Sequence, residues 1–379
     1  MNNSYRIIRT LGQGAFGTTY LVEKEGDETN RKYVLKSIRI TNYNIADMFA
    51  EINVLKKIAK YGCRPRLLCY REDFVNPNDK SMNIVTDAFD DAITVGQFIR
   101  QLQQEKRYLS TSELLKISNS LLEGLAYLHK IGIAHGDIKP ENILINPELE
   151  TQIIDFGLSC SKHCRPSGTI LFASPEILRN MGSRKQIGLD TLQTADVFSM
   201  GLVIFLLANL EFPFSLSGNN PYRYDYKSST QASSDANYDT NSDANSDPKS
   251  MSSIPVQKVQ EQVYQQNAKN FYEVNNNNEM ALMYTLDRFY NTLGKTIFSF
   301  YHHNKTPVDE KINSLIESML TVPTKTKYSR PSARRILSNL RKIIELYNTS
   351  TDTDQIILTP LTPSMLQSSP VKSPMKLPD

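Results

Sequence analysis

Residues 135 to 142 read HGDIKPEN and bring an acid, a lysine and an asparagine close together in sequence. Asp137 is of a type that accepts a proton from an incoming hydroxyl, and Lys139 of a type that neutralises charge on a transferring phosphoryl group. Asn142 can ligate a hard cation through its amide oxygen. Asp155, in the run IIDFG, is suited to Mg²⁺, which takes carboxylate and phosphate oxygens together. These residue types at these spacings indicate phosphoryl transfer more specifically than any one of them alone.

A glycine-rich stretch, LGQGAFGTTY, lies between two predicted strands near the start of the chain. Glycines let a hairpin bring its backbone amides close to phosphate oxygens without obstruction by side chains. The stretch contains the pattern G-x-G-x-x-G, but no helix is predicted directly after it. This argues against the dinucleotide-binding version of the pattern, in which the third glycine opens a helix.

Lys36 stands in the middle of the apolar strand sequence YVLKSI. A lysine in this setting either extends its ammonium group to solvent or pairs with an anion. Glu51, on the next predicted helix, is a candidate partner, and the pair would hold the ammonium where it meets the α- and β-phosphates of a nucleotide. Taken alone, Lys36 fits a solvated strand lysine at least as well.

The elements that must position these residues fall into two groups. Residues 5 to 38 alternate apolar and polar side chains around turn sequences, which predicts three antiparallel strands. Residues 45 to 60 have the apolar spacing of a helix, and RLLCYREDF and SMNIVTDAF are predicted as two more strands. The segment 1–89 is therefore expected to form a small sheet with one helix.

Beyond about residue 95 the apolar period becomes helical. Residues 112 to 131, the apolar run that follows Asp196 and the segment EKINSLIESML all predict helices. The run from Val197 to Leu210 is shorter than the roughly 20 residues that span a bilayer, so it is interpreted as a buried helix. The fold class is α+β, with an N-terminal sheet lobe and a larger, mostly helical lobe over 90–348.

Two stretches are too polar to build a core. Residues from about 215 to 280 are rich in Ser, Asn and Asp, which predicts a disordered insertion. A tolerated expansion of a surface loop is the favoured interpretation, and a specific docking role is the alternative. The tail, 349–379, is also predicted to be disordered. It holds Thr359-Pro360, Thr362-Pro363, Ser369-Pro370 and Ser373-Pro374, which are candidate sites for a proline-directed kinase.

Charge and cysteine content limit the class of protein. The chain has 379 residues and a formal net charge of +3, so no strong field for nucleic acid or a membrane is implied. Its N-terminus has no apolar core of signal-peptide length. Four cysteines are too few for a disulfide framework and fit a reducing compartment. We expect an intracellular, cytoplasmic protein, without excluding the nucleus.

The stretch CSKHC contains Cys160, His163 and Cys164, three residue types that bind zinc. Structural zinc sites have four protein ligands, and no fourth candidate lies near these three in sequence. Ordinary loop residues are the favoured interpretation.

The motifs occur in the order found in eukaryotic-type protein kinases, and the chain resembles that family from about residue 5 to 345 apart from the insertion. Further motifs continue the resemblance. ASPE at 173–176 is similar to the family's APE, DVFSMG at 196–201 to its D-x-W-S-x-G, and SRPSA at 329–333 to the start of its last helix. The expected architecture is the two-lobed kinase fold.

The resemblance implies an enzyme that moves the γ-phosphoryl group of ATP, with Mg²⁺, to a protein hydroxyl. Asp137 would be the catalytic base and Lys139 would contact the γ-phosphate, while Asn142 and Asp155 would bind the metal. Thr169, in GTILFASPE, together with Lys139 places the chain in the serine/threonine branch.

The resemblance also assigns a nucleotide site. Lys36 would position two phosphates and Glu51 would hold Lys36, with Thr86 as gatekeeper and Asp87 as the first hinge residue. The glycine-rich loop would contribute Leu11, Gly12, Gln13, Gly14, Ala15, Phe16, Gly17, Thr18 and Thr19.

Three residues of the larger lobe receive structural roles from the resemblance. Glu176 and Arg330 would form a buried ion pair, and Asp196 would brace the catalytic loop. The sequence departs from the family at Thr19, Leu35, Ser174 and Phe198, but none of these removes a group that phosphoryl transfer requires.

Gly136 replaces the arginine that in this family pairs with a phosphate on the activation loop. We therefore expect activity that does not depend on phosphorylation of that loop. Two alternatives stay open: a kinase-like scaffold without turnover, and a small-molecule kinase, because such families also carry H-G-D.

Overall fold

The computed structural model describes residues 5–14, 17–29, 31–64, 66–162, 164–183, 185–213, 279–292, 307–322, 330–350 and 356. The insertion predicted at about 215–280 and the tail predicted at 349–379 lie almost entirely outside these residues. Both therefore stay predictions.

The N-terminal lobe is a five-stranded antiparallel sheet with one helix. The strand order is β1-β2-β3-β5-β4, and each neighbouring pair is antiparallel. The three strands, the helix and the two further strands expected from the sequence are all present. Their bounds are β1 Tyr5–Gly14, β2 Gly17–Lys24, β3 Lys32–Arg39, α1 Ile45–Lys60, β4 Tyr70–Asn76 and β5 Ser81–Asp87.

The C-terminal lobe is built mainly of helices around a small three-stranded sheet, in the order β6-β7-β8. Short 3₁₀ turns cover Pro140–Asn142 and Ile170–Phe172. The remaining elements are β6 Ile93–Thr94, α2 Val95–Gln104, α3 Thr111–Lys130, β7 Ile143–Ile145, β8 Thr151–Ile153, α4 Pro175–Leu178, α5 Leu189–Asn209, α6 Glu279–Thr292, α7 Pro307–Met319 and α8 Ala333–Ser350.

Local sequence explains where α3 begins. Ser110 accepts a hydrogen bond from the backbone N–H of Glu113, and the Glu113 carboxylate accepts one from the backbone N–H of Ser110. This reciprocal pair satisfies two backbone donors that a helix start leaves without partners. The helix then runs to Lys130, directly before the loop that carries HGDIKPEN.

Helix α5 is the most apolar of the long helices among the described residues. By length and composition it is suited to cross a bilayer, but 83% of its most apolar window is buried inside the protein. The interpretation of this run as a buried core helix is confirmed. Its single buried acid, Asp196, is only 2% exposed and points to a specific role for that charge.

The two lobes meet at the loop between α1 and β4. Leu67 forms a parallel bridge with Ile153 at the end of β8. Around it, the Leu68 N–H donates to the Ile153 carbonyl at 3.2 Å, and the Ile153 N–H donates to the Arg66 carbonyl at 2.9 Å. The strand that leads to Asp155 is therefore fixed to the sheet lobe.

The four cysteines form two local disulfides, which the cysteine count did not predict. Cys63 pairs with Cys69 across the loop between α1 and β4, with Cα atoms 5.2 Å apart. Cys160 pairs with Cys164 just after IIDFG, with Cα atoms 5.5 Å apart. This pairing leaves no thiolate for a zinc site in CSKHC; His163 lies outside the described residues.

Candidate active site

Lys36 lies between two carboxylates. Its Nζ is 2.7 Å from Glu51 Oε1 and 3.2 Å from Asp155 Oδ1. The lysine comes from the central strand β3, Glu51 from the inner face of α1, and Asp155 from the segment after β8. Three distant parts of the sequence thus meet at one ammonium group, and the solvated-lysine alternative does not describe this geometry.

Burial and charge act in opposite directions on this cluster. Burial alone lowers the pKa of Lys36, but the two neighbouring carboxylates outweigh it and hold the pKa above its ordinary value. Burial favours the neutral form of Asp155, yet the attraction of Lys36 prevails and lowers the pKa of Asp155. The site therefore keeps a permanent cation and an ionised acid side by side at neutral pH.

Asp137 is held by the loop on which it lies. Asn142 Nδ2 donates to Asp137 Oδ2 at 3.0 Å and to the Asp137 carbonyl at 2.9 Å. Lys139 Nζ is 2.8 Å from the same Oδ2. The spacing of HGDIKPEN places the asparagine here because Pro140–Asn142 forms a 3₁₀ turn that brings it back over Asp137. The acid, lysine and asparagine predicted from the sequence come together.

Thr169 joins this group from the activation segment, the stretch of chain from Asp155 to Glu176. Its hydroxyl donates to Asp137 Oδ1 at 2.8 Å and accepts from Lys139 Nζ at 2.9 Å. Its backbone N–H also donates to Asp137 Oδ1, at 2.8 Å. The Thr169 hydroxyl thus bridges Asp137 and Lys139, which shows that the space between these two side chains fits a hydroxyl group.

Asp196 fixes the backbone before the acid. Its Oδ2 accepts a hydrogen bond from the His135 N–H at 2.7 Å, and its Oδ1 accepts one from the Gly136 N–H at 2.9 Å. His129 Nε2 lies 3.0 Å from the same Oδ2. The His135 ring packs against the buried ring of Phe156, and the two ring centroids are 5.2 Å apart. The loop is therefore tied to α5, α3 and the segment after β8.

The glycine-rich loop is a hairpin, as expected. Gly12 faces Thr19 and Gly14 faces Gly17 across β1 and β2, while Ala15 and Phe16 lie outside the described residues. Gly17 has a φ of +137°, and a Cβ added there would lie 2.1 Å from the Ser37 carbonyl oxygen. This glycine is required by close packing against β3, whereas a Cβ at Gly12 would meet nothing within 4 Å.

The hinge begins at the end of β5. Thr86 is buried, at 4% exposure. The Asp87 N–H donates to the Cys69 carbonyl at 2.9 Å, and Arg71 Nε donates to the Asp87 carboxylate at 2.6 Å. The segment from Cys69 to Arg71 therefore engages both the backbone N–H and the side chain of Asp87.

A family model of the protein kinase domain matches residues 5–340. The chain belongs to the protein kinase family. Its two-lobed α+β fold is the one that the sequence resemblance implied, and the described strands and helices confirm that fold class.

Several protein kinases are similar to this chain in sequence. Serine/threonine-protein kinase cds1 of Schizosaccharomyces pombe is 31% identical over 231 residues, covering 57% of this chain and 47% of that protein. Mitogen-activated protein kinase kinase 10 of Arabidopsis thaliana is 30% identical over 224 residues, covering 58% and 67%. Human serine/threonine-protein kinase Nek10 is 27% identical over 228 residues, covering 56% and 18%. The matched region covers about half of the length of cds1 and less than a quarter of the length of Nek10. The similarity therefore extends to only a part of each of these proteins.

The ion pair that the resemblance implied is present. Arg330 Nη1 lies 2.6 Å from Glu176 Oε1, and the guanidinium also donates to the Thr194 and Thr321 carbonyls. The Phe198 ring, where the family has tryptophan, lies 4.9 Å from the guanidinium carbon. Phe198 thus makes a cation–π contact with Arg330 in this kinase.

Two contributors to the site were not predicted from the sequence: His129, which contacts Asp196, and Arg71, which holds Asp87. Both contacts join elements that are distant in sequence. Arg71 lies at the register shift between Tyr70 and Glu72, so regular strand pairing does not place it beside Asp87. For His129 the local sequence contains no signal either.

Proposed function

We propose that this chain is a serine/threonine protein kinase that transfers the γ-phosphoryl group of ATP to Ser or Thr hydroxyls of proteins. The observation that carries the proposal is the Thr169 hydroxyl between Asp137 and Lys139, within hydrogen-bond distance of both. A substrate hydroxyl requires the same two groups: an acceptor for its proton and a cation beside the phosphoryl oxygens.

The donor set supports ATP with Mg²⁺. Asp155 offers a carboxylate with a lowered pKa, and the Nδ2 atom of Asn142 is used by Asp137, so the amide oxygen is the ligand atom available to a cation. Carboxylate and amide oxygens are the ligands that Mg²⁺ takes. When bound, the magnesium nucleotide supplies the phosphoryl group and neutralises part of its charge.

The chain's own residues divide the remaining work. Lys36, held by Glu51, would contact the α- and β-phosphates, and the hairpin from Leu11 to Thr19 would cover them. Asp137 would orient the attacking hydroxyl and take its proton, an effect of about 10²–10⁴-fold in rate for a positioned base. Lys139 would remain on the transferring group.

A phosphotransfer assay tests the proposal. Purified full chain is incubated with ATP, Mg²⁺ and a generic basic protein, beside Asp137→Asn and, as a matched surface control, Asp47→Asn, whose carboxylate lies exposed on α1. Phosphate transfer to Ser and Thr by the wild type and Asp47→Asn, and its loss in Asp137→Asn, is expected. Equal transfer in all three proteins would overturn the enzyme assignment and favour the scaffold alternative; transfer only to aminoglycosides or choline would favour the small-molecule one.

We also propose that phosphorylation of the activation loop is not required. Gly136 has no side chain to bind a phosphate, and its N–H is already used by Asp196. Ser159 donates its hydroxyl to the His135 carbonyl at 3.0 Å, so this hydroxyl is engaged within the unmodified protein. Combined Ser159→Ala, Ser161→Ala and Ser167→Ala substitutions are expected to leave most of the turnover; complete loss in a folded protein would refute this.

The regulatory and cellular assignments remain proposals based on the sequence. We propose that the protein is intracellular and lies in the cytoplasm or the nucleus. We also propose that it acts on proteins and not on nucleic acid or membranes. We further propose that a proline-directed kinase phosphorylates the tail at its Ser/Thr-Pro pairs, which begin at Thr359, Thr362, Ser369 and Ser373. Among the described residues, Ile356 is bound by Asn348 at 2.8 and 3.0 Å, so these sites follow a fixed point on α8. Phosphosite mapping after treatment with such a kinase tests this.

A further inference from the structure

The Cys160–Cys164 pair lies in the activation segment, directly after Asp155-Phe156-Gly157. The two cysteines are four positions apart, and their Cα atoms are 5.5 Å apart, within the range that a disulfide spans. Cys164 is fully buried and Cys160 is half-buried. The segment that controls access to the active site of a kinase is therefore closed into a small covalent loop.

Each end of this loop is attached to a different part of the C-terminal lobe. Cys160 exchanges two backbone hydrogen bonds with Ala134, at 2.8 and 2.9 Å, immediately before HGDIKPEN. Cys164 exchanges two with Ile187, at 2.9 and 3.4 Å, just before α5. The disulfide thus links the catalytic loop to the chain ahead of α5 through the activation segment.

A second observation explains why such a link is useful here. Gly136 carries no cation that can hold a phosphorylated activation segment in place. The catalytic groups are nevertheless assembled with the disulfide closed: Thr169 is bound to Asp137 and Lys139. In this structure the arrangement forms without a phosphate–arginine contact.

We propose that Cys160 and Cys164 form a reversible thiol–disulfide site, and that the disulfide holds the activation segment in its active arrangement in place of a phosphate–arginine contact. This proposal rests on the proposed kinase function. The ordered segment is the oxidised form, and reduction lowers activity toward protein substrates. In an intracellular protein, disulfides are usually transient or regulatory, which is consistent with a switch.

The chemistry is a thiol–disulfide exchange with a small-molecule disulfide such as oxidised glutathione. The thiolate of Cys160, the more accessible sulfur, attacks one sulfur of the small disulfide and releases one thiol. The thiolate of Cys164 then attacks Cys160 in the mixed disulfide and releases the second thiol. The protein loses two electrons and two protons, and one oxidised glutathione becomes two reduced molecules.

The expected effect follows from the size of the loop. Chain entropy for a closure this short corresponds to about a thirtyfold bias toward the ordered segment, and part of it is commonly lost to native-state constraints. We expect kcat/KM for a protein substrate to be about tenfold higher in the oxidised than in the reduced form.

The test is a redox titration of the full chain in buffers with graded ratios of oxidised to reduced glutathione. Phosphotransfer to a generic basic protein is measured beside mass-spectrometric mapping of the Cys160–Cys164 bond. Activity is expected to rise with the occupancy of this bond. The double variant Cys160→Ser, Cys164→Ser is expected to stay at the reduced level throughout, whereas Cys63→Ser, Cys69→Ser, the matched control, keeps the response.

A structural readout separates this proposal from the proposed function. Trypsin is expected to cleave after Lys162 faster in the reduced protein than in the oxidised one, whether or not any form transfers phosphate. The switch is overturned if the pair remains as thiols at the oxidising end of the titration. It is also overturned if the bond forms while activity and cleavage stay constant, or if the Cys160→Ser, Cys164→Ser variant keeps the response. Absence of phosphotransfer in every form, with redox-dependent cleavage retained, contradicts the kinase function instead.

Discussion

Replacing Gly136 by alanine is expected to destabilise this kinase more than the same change at another glycine of similar backbone conformation. Gly136 has a φ of +81°, and a Cβ added there would lie 2.6 Å from the Leu158 carbonyl oxygen. Gly182 has a φ of +77°, and a Cβ added there would meet nothing within 4 Å. Comparing the two positions separates the cost of the backbone conformation from the cost of the contact.

The magnitudes can be worked out from these two environments. A left-handed backbone costs a residue with a side chain about 1–2 kcal/mol, and both variants bear this cost. The contact at Gly136 is with backbone, so its relief requires the catalytic loop or the segment after Gly157 to move; overpacking of this kind costs about 1–3 kcal/mol more. We expect Gly182→Ala to lower the free energy of unfolding by about 1–2 kcal/mol and Gly136→Ala by about 2–5 kcal/mol.

Urea unfolding followed by circular dichroism, at fixed redox state, measures both changes. Gly136→Arg belongs in the same series, because it restores the side chain found in the family and adds the same Cβ. It is expected to be at least as unstable as Gly136→Ala. If Gly136→Ala and Gly182→Ala differ by less than about 0.5 kcal/mol, the close contact with Leu158 does not constrain this position and the reasoning is wrong.

Three further predictions concern the active site and the larger lobe. Glu51→Gln keeps the shape but removes the charge 2.7 Å from Lys36, so kcat/KM in the phosphotransfer assay is expected to fall at least about tenfold. Thr169→Val removes hydrogen bonds to two charged groups, worth about 1.5–3 kcal/mol, and is expected to lower kcat about tenfold or more, while Thr169→Ser retains activity. Glu176→Gln breaks a buried pair and is expected to cost about 3 kcal/mol in urea unfolding at neutral pH. Burial opposes ionisation of Glu176, but the charge of Arg330 outweighs burial and lowers the pKa of Glu176. The wild type therefore loses the stability from this ion pair as the pH falls through that lowered pKa. In the same pH range, the difference in unfolding free energy between the wild type and Glu176→Gln becomes smaller.

The parts of the fold that the sequence predicted are those with a local cause. Helix α3 is specified by apolar spacing and by the reciprocal Ser110 and Glu113 bonds at its start, and it was expected at 112–131 and found at Thr111–Lys130. Helix α1 and the five strands of the N-terminal lobe were likewise expected from the spacing of their apolar residues. The conjunction of Asp137, Lys139 and Asn142 was also predictable, because all three lie on one short loop.

The parts that the sequence did not predict depend on which surfaces meet. The strand pattern predicted a hairpin at the glycine-rich loop, but the need for glycine at Gly17 comes from the Ser37 carbonyl on β3, across a register that no local pattern specifies. The contacts of Arg71 with Asp87 and of His129 with Asp196 arise in the same way. The two disulfides were missed because the prediction used only the number of cysteines. In each disulfide the two cysteines are close in sequence, so each bond closes a small local loop and no larger framework is needed.

Asp196 shows why the catalytic loop of this kinase can be both irregular and well positioned. The backbone of His135 and Gly136 belongs to no helix or strand ladder, so its N–H groups need an acceptor from elsewhere. Helix α5 supplies one, although it is mostly apolar after Asp196 and a buried carboxylate there is costly unless it is fully bonded. Two backbone donors and the His129 ring meet that requirement. Removing the carboxylate would leave the buried His135 N–H and the half-buried Gly136 N–H without this acceptor, and the loss would reach Asp137, the next residue along the loop. The most apolar of the long described helices is therefore also the one that sets the position of the proposed base.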